Sequence, residues 1–498
     1  MSTFHGLEMA KRALFTQQSA LYTTGHNISN ANTEGYSRQR VNFETLPAYP
    51  NGARNRPQIP GQLGQGVQAG SVERIRDSFL DLQYRAENSK SGYWETMSNS
   101  LYRMESLLNE PSESGLSNTM DKFWQSLQDL SVNPENTGAR SVVVQRGQAV
   151  ADTFNYLTSN LENMQSDLRK QVDVTIKDAN SIIRQIDQIN NQIKETEPHG
   201  YLANDLYDDR DRLIDELSGI VNIKVHRKES AESSPDNAAG LTQIELVDDS
   251  GKSLPNGPVY LVDPTSDTGS TFQQFSLAEA DEVNEIKLGN DLVQGLPTGS
   301  LKSLIDAHGY DGSDPNAVSY KNVLEDIQTL ATEFTTAFND VQKGGFDLNG
   351  VAGTDFFVKD ADGNIIVAQE IMDDPALVAA SAVANETGNG QNASKLANVF
   401  NDKIGGPLGV DASVKSFYEG VIGSLGVAAQ EANRMSANTG ALKSQVQEQR
   451  MSVSSVSLDE EMTNMVKFQH AYNAAARSMT AMDEILDRII NNLGIVGR

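Results

Sequence analysis

The feature that most constrains the fold is a run of apolar residues that keeps a helical period from Ser141 to Glu195. Its members recur at spacings of three and four, with one last step of seven, and they are Val150, Phe154, Leu157, Leu161, Met164, Leu168, Val172, Ile176, Ala179, Ile183, Ile186 and Ile193. One continuous helix over this stretch would be on the order of 80 Å long. So long a helix favours an elongated bundle over a globule, and Pro198 and Gly200 are expected to end it.

Both ends of the chain also carry helical patterns. Apolar residues recur every seven residues near the start and by threes and fours near the end. Neither stripe is wide enough for a helix that is stable alone, so we expect the two helices to pair. The stripes can form a core inside the pair or contacts with neighbouring subunits, and the sequence leaves both open. The positions are Leu7, Leu14, Leu21 and Ile28 near the start, and Met462, Met465, Tyr472, Met479, Leu486 and Leu493 near the end.

The middle of the chain changes character after Gly219. Short runs such as VNIKV, LTQIELV and PVYLV are separated by clusters of Ser, Asp, Gly and Pro, which predicts a small β-rich insertion. The predicted fold is mainly α with this β insertion: an elongated multidomain chain with paired N- and C-terminal helices, a long antiparallel helical bundle and a small β-rich outer domain. The predicted boundaries are 1–40 and 456–498 for the terminal helical domain, 41–228, 300–343 and 401–455 for the bundle, and 229–299 and 344–400 for the β-rich outer segments.

Charge and composition exclude several classes of protein. The net charge of -27 argues against a nucleic-acid binder, which neutralises phosphates with Lys and Arg. The acidity is concentrated in residues 201–380, with 33 acidic and 11 basic side chains, which predicts a solvated outer surface there. The absence of cysteine excludes disulfides and thiol catalysis. No apolar run is long enough to span a membrane, and no cleavable secretion signal is found, so composition alone favours the cytoplasm.

The search for catalytic and metal-binding motifs finds none that fits. The segment DADGNIIVAQE, which begins at Asp360, has the alternating oxygen ligands of a calcium loop. However, Ile365 stands where that loop needs Gly and Ile371 where it needs Glu, so we predict a hairpin turn at Gly363 instead. The acidic run YDDRDRLIDE predicts a charged helix face with pairs of opposite charge along the helix. We therefore expect no catalytic site, no metal and no cofactor.

A polar segment, NISNANTEGYSRQR, follows the first helix and spans Asn27 to Arg40. Gly25 and Asn27 favour the left-handed conformers that end a helix, and this interpretation is preferred to a catalytic role for His26 and Asn27. We expect the segment to be the corner at which the chain leaves the terminal helices, and to contact neighbouring subunits.

The same segment resembles the signature of flagellar rod, hook and hook-associated proteins, which runs Asn-Ile/Leu-x-Asn-x-x-Thr-x-Gly-Tyr/Phe. The matching residues are Asn27, Ile28, Asn30, Thr33, Gly35 and Tyr36. SLDEEMTNMVKFQHAYNAAARSMTAMDEILDRIINNLG resembles the C-terminal module of this flagellar axial family. NDLYDDRDRLIDELS and GFDLNGVAGTDFF are similar to segments of its hook-associated members.

The resemblance implies a structural, non-enzymatic subunit of the bacterial flagellum at the junction between hook and filament. It implies export in unfolded form by the flagellar type III system, which uses no cleaved signal, so that the cytoplasmic stage is transient. It also implies a ring of subunits that polymerises through the terminal helices at the distal end of the hook. Its partners would be other copies of the chain, the hook protein, the second junction protein (hook-associated protein 3) and a cytoplasmic export chaperone on the C-terminal helix. Neither nucleic acid nor membrane insertion is implied.

Three alternatives remain open at this point. The chain could be another axial subunit of the hook or rod type, or an extracellular coiled-coil adhesin, which would normally carry a secretion signal. It could also hold an enzyme within the β-rich region between residues 228 and 397, although no constellation of residues supports one.

Overall fold

A computed structural model of the chain describes residues 4–50, 61–108, 112, 115–266, 271–278, 283, 285–293, 295–404, 406–408 and 412–492. The helices are α1 (Phe4–Ser29), α2 (Ser78–Leu108), α3 (Leu116–Val132), α4 (Thr137–Thr196), α5 (Asn204–Ile220), α6 (Ser300–His308), α7 (Tyr320–Lys343), α8 (Gln369–Asp373), α9 (Gln391–Asn398), α10 (Val414–Ser454) and α11 (Leu458–Asn492). The strands are β1 (Gln39–Thr45), β2 (Val67–Arg74), β3 (Ile223–Lys228), β4 (Leu241–Leu246), β5 (Val259–Val262), β6 (Phe275–Leu277), β7 (Ile286–Leu288), β8 (Asp291–Leu292), β9 (Phe357–Lys359) and β10 (Ile365–Val367).

The long helix predicted from the apolar period is confirmed. α4 has 60 residues, which corresponds to roughly 90 Å. It begins where the Asn136 side chain accepts hydrogen bonds from the backbone N–H groups of Gly138 and Ala139, and it ends before Pro198, with Gly200 in the left-handed conformation. Its apolar face packs against α3, α5, α6 and α7. This helix is the spine of the bundle.

The second long contact of the bundle joins α2 to α10, which run antiparallel. Ser98 donates a hydrogen bond to Asn433, and Asp81 at the start of α2 lies against Arg450 near the end of α10. One buried core continues through the bundle, with an aromatic cluster at its centre formed by Phe123, Phe154, Phe334, Phe338, Phe356, Phe357 and Phe400. Phe356 and Phe357 lie in the segment 344–400, so part of that segment packs into the bundle core.

Three asparagines of α4 attach the β structure to the spine. Asn190 exchanges hydrogen bonds with the backbone of Thr242 in β4, Asn180 with Phe275 in β6, and Asn155 with Ile365 in β10. Each side-chain amide supplies one donor and one acceptor, so it pairs with a strand as another strand would. The strands form two antiparallel sheets of three strands, β3-β4-β5 and β6-β7-β8, and two two-stranded units, β1-β2 and β9-β10.

The turn at Gly363, where the sequence also suggested a calcium loop, joins β9 to β10. Asp360 Oδ1 accepts hydrogen bonds from the backbone N–H groups of Asp362 and Asn364, and Gly363 has a φ of 87°. Ile365 starts the second strand of this hairpin. The predicted Asp–Gly turn is therefore confirmed.

The two ends of the chain form an antiparallel helix pair, here called the terminal pair. In α1 and α11, Gly6 lies against Met482 at one end and Asn27 against Glu461 at the other. A Cβ at Gly6 would lie 3.0 Å from the Met482 side chain, so glycine permits the close approach. The β1-β2 ribbon lies beside α1, with Thr16 donating to the carbonyl of Val67. The predicted pairing of the terminal helices is confirmed.

Candidate functional site at the terminal helix pair

The outward face of α1 carries large aromatic side chains. Phe4, Phe15 and Tyr22 are 62%, 60% and 77% exposed. Their spacings of eleven and seven residues place them on one face of the helix, and we call them the aromatic stripe. The inward residues of α1 are mostly small, and the buried ones are Ala10, Thr16, Ala20, Thr23, Thr24 and Asn27. Small inward residues bring the neighbouring elements close and leave the large aromatic groups outside.

The residues predicted on α1 lie between these two faces. Leu7, Leu14, Leu21 and Ile28 are each half-buried. The heptad pattern identified them, but it did not identify the aromatic stripe, which is more exposed and also apolar. Their role as subunit contacts remains a prediction.

The residues predicted on α11 divide into two groups. Leu486 is buried, and Met465 and Met479 are half-buried, so these three follow the inner face of the terminal pair. Met462 and Tyr472 are exposed, together with Leu458, Val466, Ile485 and Ile490. Leu493 lies outside the described residues. Tyr472 is seven residues from both Met465 and Met479 and therefore shares their face, whereas Val466 and Ile485 point away from it.

At the other end of α1, Asn27 is the centre of a buried polar network. Its side-chain Nδ2 donates to the carbonyl of Gln39 at 2.8 Å and to Glu461 Oε2 at 3.1 Å. Its Oδ1 accepts from the Tyr36 hydroxyl at 2.8 Å and from the backbone N–H of Gln39 at 3.0 Å. Asn27 is 1% exposed, so these four bonds fill the hydrogen-bonding capacity of a buried amide.

Arg38 adds an ionic contact between this network and α11. Its Nε donates to Glu461 Oε1 at 2.8 Å, and its two terminal nitrogens donate to the carboxylate of Glu460 at 2.9 and 2.7 Å. The hydrogen bond with Glu460 is the main reason why the pKa of Arg38 is raised. We call Asn27, Tyr36, Arg38, Glu460 and Glu461 the clasp, because they join the first turn of α11 to the segment that leaves α1.

The remaining signature residues shape the turn. Asn30 donates from Nδ2 to the carbonyl of His26 at 3.1 Å, and Thr33 donates to Asn30 Oδ1 at 3.2 Å. Gly35 has a φ of 81°. The Tyr36 hydroxyl also lies 3.0 Å from His26 Nδ1, and burial followed by the negative charge of Asp208 raises the pKa of Tyr36.

One prediction about this segment is wrong. Gly25 and Asn27 do not adopt left-handed conformations; α1 continues through both to Ser29, and the left-handed residue is Gly35. Asn27 is tolerated inside a helix because Gln39, Tyr36 and Glu461 satisfy its amide. Asn27, Tyr36 and Arg38 bond within the chain, and the expected contacts of the segment with neighbouring subunits remain a prediction.

A second cluster connects the terminal pair to the bundle through buried charges. It comprises four arginines and four aspartates, Arg74, Arg76, Arg85, Arg450, Asp81, Asp208, Asp211 and Asp215, and we call it the ionic joint. Arg74 Nη1 lies 2.8 Å from Asp208 and 3.0 Å from Asp211, and Arg76 Nη1 lies 3.0 Å from Asp211. Asp208 also accepts from the backbone N–H of Ser37 at 3.0 Å, which ties the ionic joint to the signature segment.

The ionic joint corrects the interpretation of the acidic run on α5. Asp208, Asp211 and Asp215 do not form a solvated face with pairs along the helix; Asp208 and Asp211 are buried, and all three pair with arginines of other elements. Those partners lie far away in the sequence, so helical spacing could not reveal them. Of the acidic run, Arg212 and Glu216 do form a pair along the helix, at 4.0 Å.

Burial and neighbouring charges shift the pKa values of these aspartates in opposite directions. Burial would raise the pKa of Asp211, but the guanidinium groups of Arg76, Arg74 and Arg85 outweigh it and hold that pKa far below its usual value. For Asp81, Arg76 likewise outweighs burial and lowers the pKa. For Asp208, burial prevails over Arg74 and the pKa is raised. The three carboxyl groups therefore respond differently to acid.

Within the described residues, no group of three or more His, Asp or Glu side chains is arranged to hold a metal ion. Among the helices in that part of the chain, none is both long and apolar enough to cross a membrane. The site thus consists of two apolar helix faces, a clasp and an ionic joint.

Three protein families match three different segments of the chain: the bundle with the β insertion, the N-terminal helix and the C-terminal helix. Residues 101–357 match the flagellar hook-associated protein FlgK helical domain, which covers most of the bundle and the β insertion. Residues 7–36 match the flagella basal body rod protein family, and this match ends at the signature Tyr36. Residues 447–493 match the C-terminal family of the flagellar basal body rod FlgEFG proteins, which covers α11.

Whole-chain comparisons agree. The chain is 44% identical to flagellar hook-associated protein 1 of Bacillus subtilis, over 100% of both chains. It is 25% identical to the Escherichia coli protein of the same name, over 97% of this chain and 98% of that one. The solved structure of the flagellar hook junction protein FlgK from Burkholderia pseudomallei shares the fold, with a TM-score of 0.58 at 14% identity over 75% of this chain and 100% of that chain. The chain therefore belongs to the flagellar hook-associated protein 1 family.

Proposed function

We propose that this chain is a structural subunit of the bacterial flagellum that joins the hook to the filament. The observation that carries the proposal is the separation of two modules. The terminal pair and the clasp match families of rod proteins, whereas the bundle matches the hook-associated family. A subunit at a junction needs a part common to axial proteins and a part of its own.

Assembly takes place through the outward faces of the terminal pair. The aromatic stripe of α1 and the exposed residues Met462 and Tyr472 of α11 leave large apolar groups in water in the single chain. Burying such a side chain gives about 1.5–3 kcal/mol, so a few of these contacts per subunit are enough to hold a ring of copies together. The half-buried Leu7, Leu14, Leu21, Ile28, Met465 and Met479 complete the contact where neighbouring subunits close over the edges of the pair.

The partners follow from this position in the flagellum. Copies of the chain form the ring, the hook protein lies on one side of it and the second junction protein, hook-associated protein 3, lies on the other. Before assembly, an export chaperone in the cytoplasm covers the exposed face of α11. The chain then passes unfolded through the flagellar type III system to the distal end of the hook.

The domain assignment of the sequence fits this function. Residues 1–40 and 456–498 form the assembly domain, 41–228, 300–343 and 401–455 form the bundle apart from the β1-β2 ribbon beside α1, and 229–299 with 344–400 form the outer segments apart from Phe356 and Phe357, which pack into the bundle core. The chain has no enzymatic role in this proposal, and its chemistry is that of packing and ion pairing.

Deletion of residues 458–498 tests the proposal. The bundle core does not include α11, so the truncated chain is expected to keep most of its helical circular dichroism. Expressed in cells that lack the full-length protein, it is expected to leave hooks without filaments. The matched control is a chain that lacks only 494–498. Swimming cells with the 458–498 deletion would contradict the proposal.

A further inference from the structure

The end of α4 that lies far from the ionic joint exposes three valine side chains. Val132, Val351 and Val383 are 76%, 61% and 45% exposed. They belong to segments that meet beside the first turn of α4, and we call these segments the tip: residues 131–136, 346–352 and 381–390. Beside the other end of α4, Tyr207 packs against Arg74 of the ionic joint. The tip and the joint are therefore separated by roughly 90 Å, the length of α4.

The three segments of the tip hold one another in place. Phe346 forms β-bridges with both Ala352 and Ser381. Thr387 donates a hydrogen bond to Glu135, which joins the third segment to the loop before α4. The exposed valines are therefore carried by one connected surface and not by independent loops.

A buried arginine fixes the tip from its interior side. Arg140, in the first turn of α4, is 1% exposed, and its guanidinium group donates to the carbonyls of Pro134, Ala376 and Val378. These acceptors lie on two different segments of the chain, so one side chain holds both. A surface that is already ordered loses little conformational entropy when it binds a partner.

The tip belongs to a strongly acidic part of the chain. Residues 344–391 contain eight acidic side chains and one basic side chain. Glu135 and Glu386 lie on the tip itself and are exposed. Because opposite charges at the rim of an interface favour association and like charges oppose it, the tip fits a partner with an apolar centre and a rim of Lys and Arg. A second copy of this chain fits poorly, since it carries 67 acidic and 40 basic residues.

We propose that the tip is a docking surface for a different protein of the flagellum, whose contact face has an apolar centre and a rim of Lys and Arg. The inference rests on the proposed function, because a partner at this distance from the terminal pair belongs to the structure next to the ring. The three valines pack against the apolar centre, and Glu135 and Glu386 pair with the basic rim. The tip thereby adds a contact outside the ring to the contacts within it.

A single cysteine reports whether the tip is covered, because the chain itself contains none. The test uses Val383→Cys, with Leu292→Cys on β8 as the matched control, since both side chains are 45% exposed. A maleimide should label the two variants at similar rates in the isolated chain. In intact flagella from cells that express only the variant, labelling of Val383→Cys should be roughly tenfold slower, and that of Leu292→Cys should stay within about twofold of the isolated rate.

Two further measurements identify what covers the tip. A photoreactive phenylalanine analogue encoded at Val383 should form an adduct with a different protein in intact flagella, at a segment rich in Lys and Arg. An adduct of two copies of this chain, or no adduct, would overturn the inference. Adding Glu386→Lys to Val383→Cys should speed the labelling in flagella by about threefold, whereas adding Glu195→Lys, which changes an exposed carboxylate on α4, should leave it unchanged.

The labelling experiment also separates this inference from the proposed function. If Val383→Cys does not assemble, Val351→Cys is measured in its place. Absence of the chain from flagella would contradict the proposed function, on which the inference rests. Presence of the chain there, with Val383→Cys labelled as fast as in the isolated chain, would overturn the docking inference alone.

Discussion

The Nε atom of Arg450, near the end of α10, lies 2.7 Å from Oδ1 of Asp81 in the first turn of α2. The same guanidinium group reaches Asp215 of α5 at 2.5 Å. Arg450 therefore joins three helices of the bundle at the level where the chain passes to the terminal pair. At this level the three helices are joined by buried ion pairs beside the core residues Ile214 and Leu217 of α5.

Replacement of Arg450 by alanine should destabilise the protein strongly. Asp81 and Asp215 would each lose one of their two guanidinium partners. Removing one member of a buried ion pair costs about 3–5 kcal/mol. The control is Lys415→Ala, which breaks an exposed pair with Asp121 and should cost about 0–1 kcal/mol. Urea denaturation at neutral pH measures both. Equal losses for the two variants would contradict the account.

Acid should weaken the ionic joint from a defined pH downward. The pKa values of Asp81 and Asp211 are lowered in the folded chain, so their contribution is complete above the unfolded value of about 4 and is lost as pH falls through the folded values. Asp208, whose pKa is raised, has the opposite sign and offsets part of this loss. The contribution of the ionic joint to the free energy of unfolding should therefore stay nearly constant from about pH 7 to 5 and fall below about pH 4.

The variant Asp211→Asn provides the comparison for this pH dependence. The asparagine side chain does not take up a proton as the pH falls. The free energy of unfolding of this variant should therefore fall less steeply below pH 4 than that of the parent chain. Denaturant titrations at a series of pH values give both slopes. Identical slopes would show that Asp211 is not part of the acid response.

Two glycines near the signature should respond in opposite ways to alanine. Gly35 has a φ of 81°, and an added Cβ would also lie 3.4 Å from Arg212, so Gly35→Ala should cost about 1–2 kcal/mol. Gly25 lies inside α1, and an added Cβ would have no neighbouring atom within 4 Å. Gly25→Ala should therefore stabilise the helix by about 0.5–1 kcal/mol. Thermal unfolding distinguishes them: the midpoint should fall for the first and rise for the second. A rise for Gly35→Ala would refute the role assigned to the turn.

The elements that repeat locally could be predicted from the sequence. The apolar period of α4 predicted one long helix, the Asp–Gly pair predicted the hairpin at Gly363, and the stripes at both ends predicted the terminal pair. In each case the determining residues lie within a few turns of one another. The match between the signature at Asn27 to Tyr36 and the rod family also follows from local sequence.

The parts that depend on distant partners could not be predicted. Asp211 looks like an exposed helix residue until Arg74, Arg76 and Arg85 are placed around it, and nothing in its spacing identifies those arginines. Glu461 was likewise one acid among three at the start of α11. The aromatic stripe is different, because Phe15 and Tyr22 are seven residues apart and a helical projection of all large apolar residues would have shown the stripe.

In the proposed assembly, the outward face of the terminal pair holds neighbouring subunits together. The most direct test combines Phe15→Ala with Tyr22→Ala, and uses Tyr156→Ala, an exposed tyrosine on α4, as the control. Both exposed aromatics can be removed without opening the core, so circular dichroism should match the parent chain. In cells that lack the native protein, swimming motility should be lost with the double variant and retained with Tyr156→Ala. Normal swimming with the double variant would contradict the account.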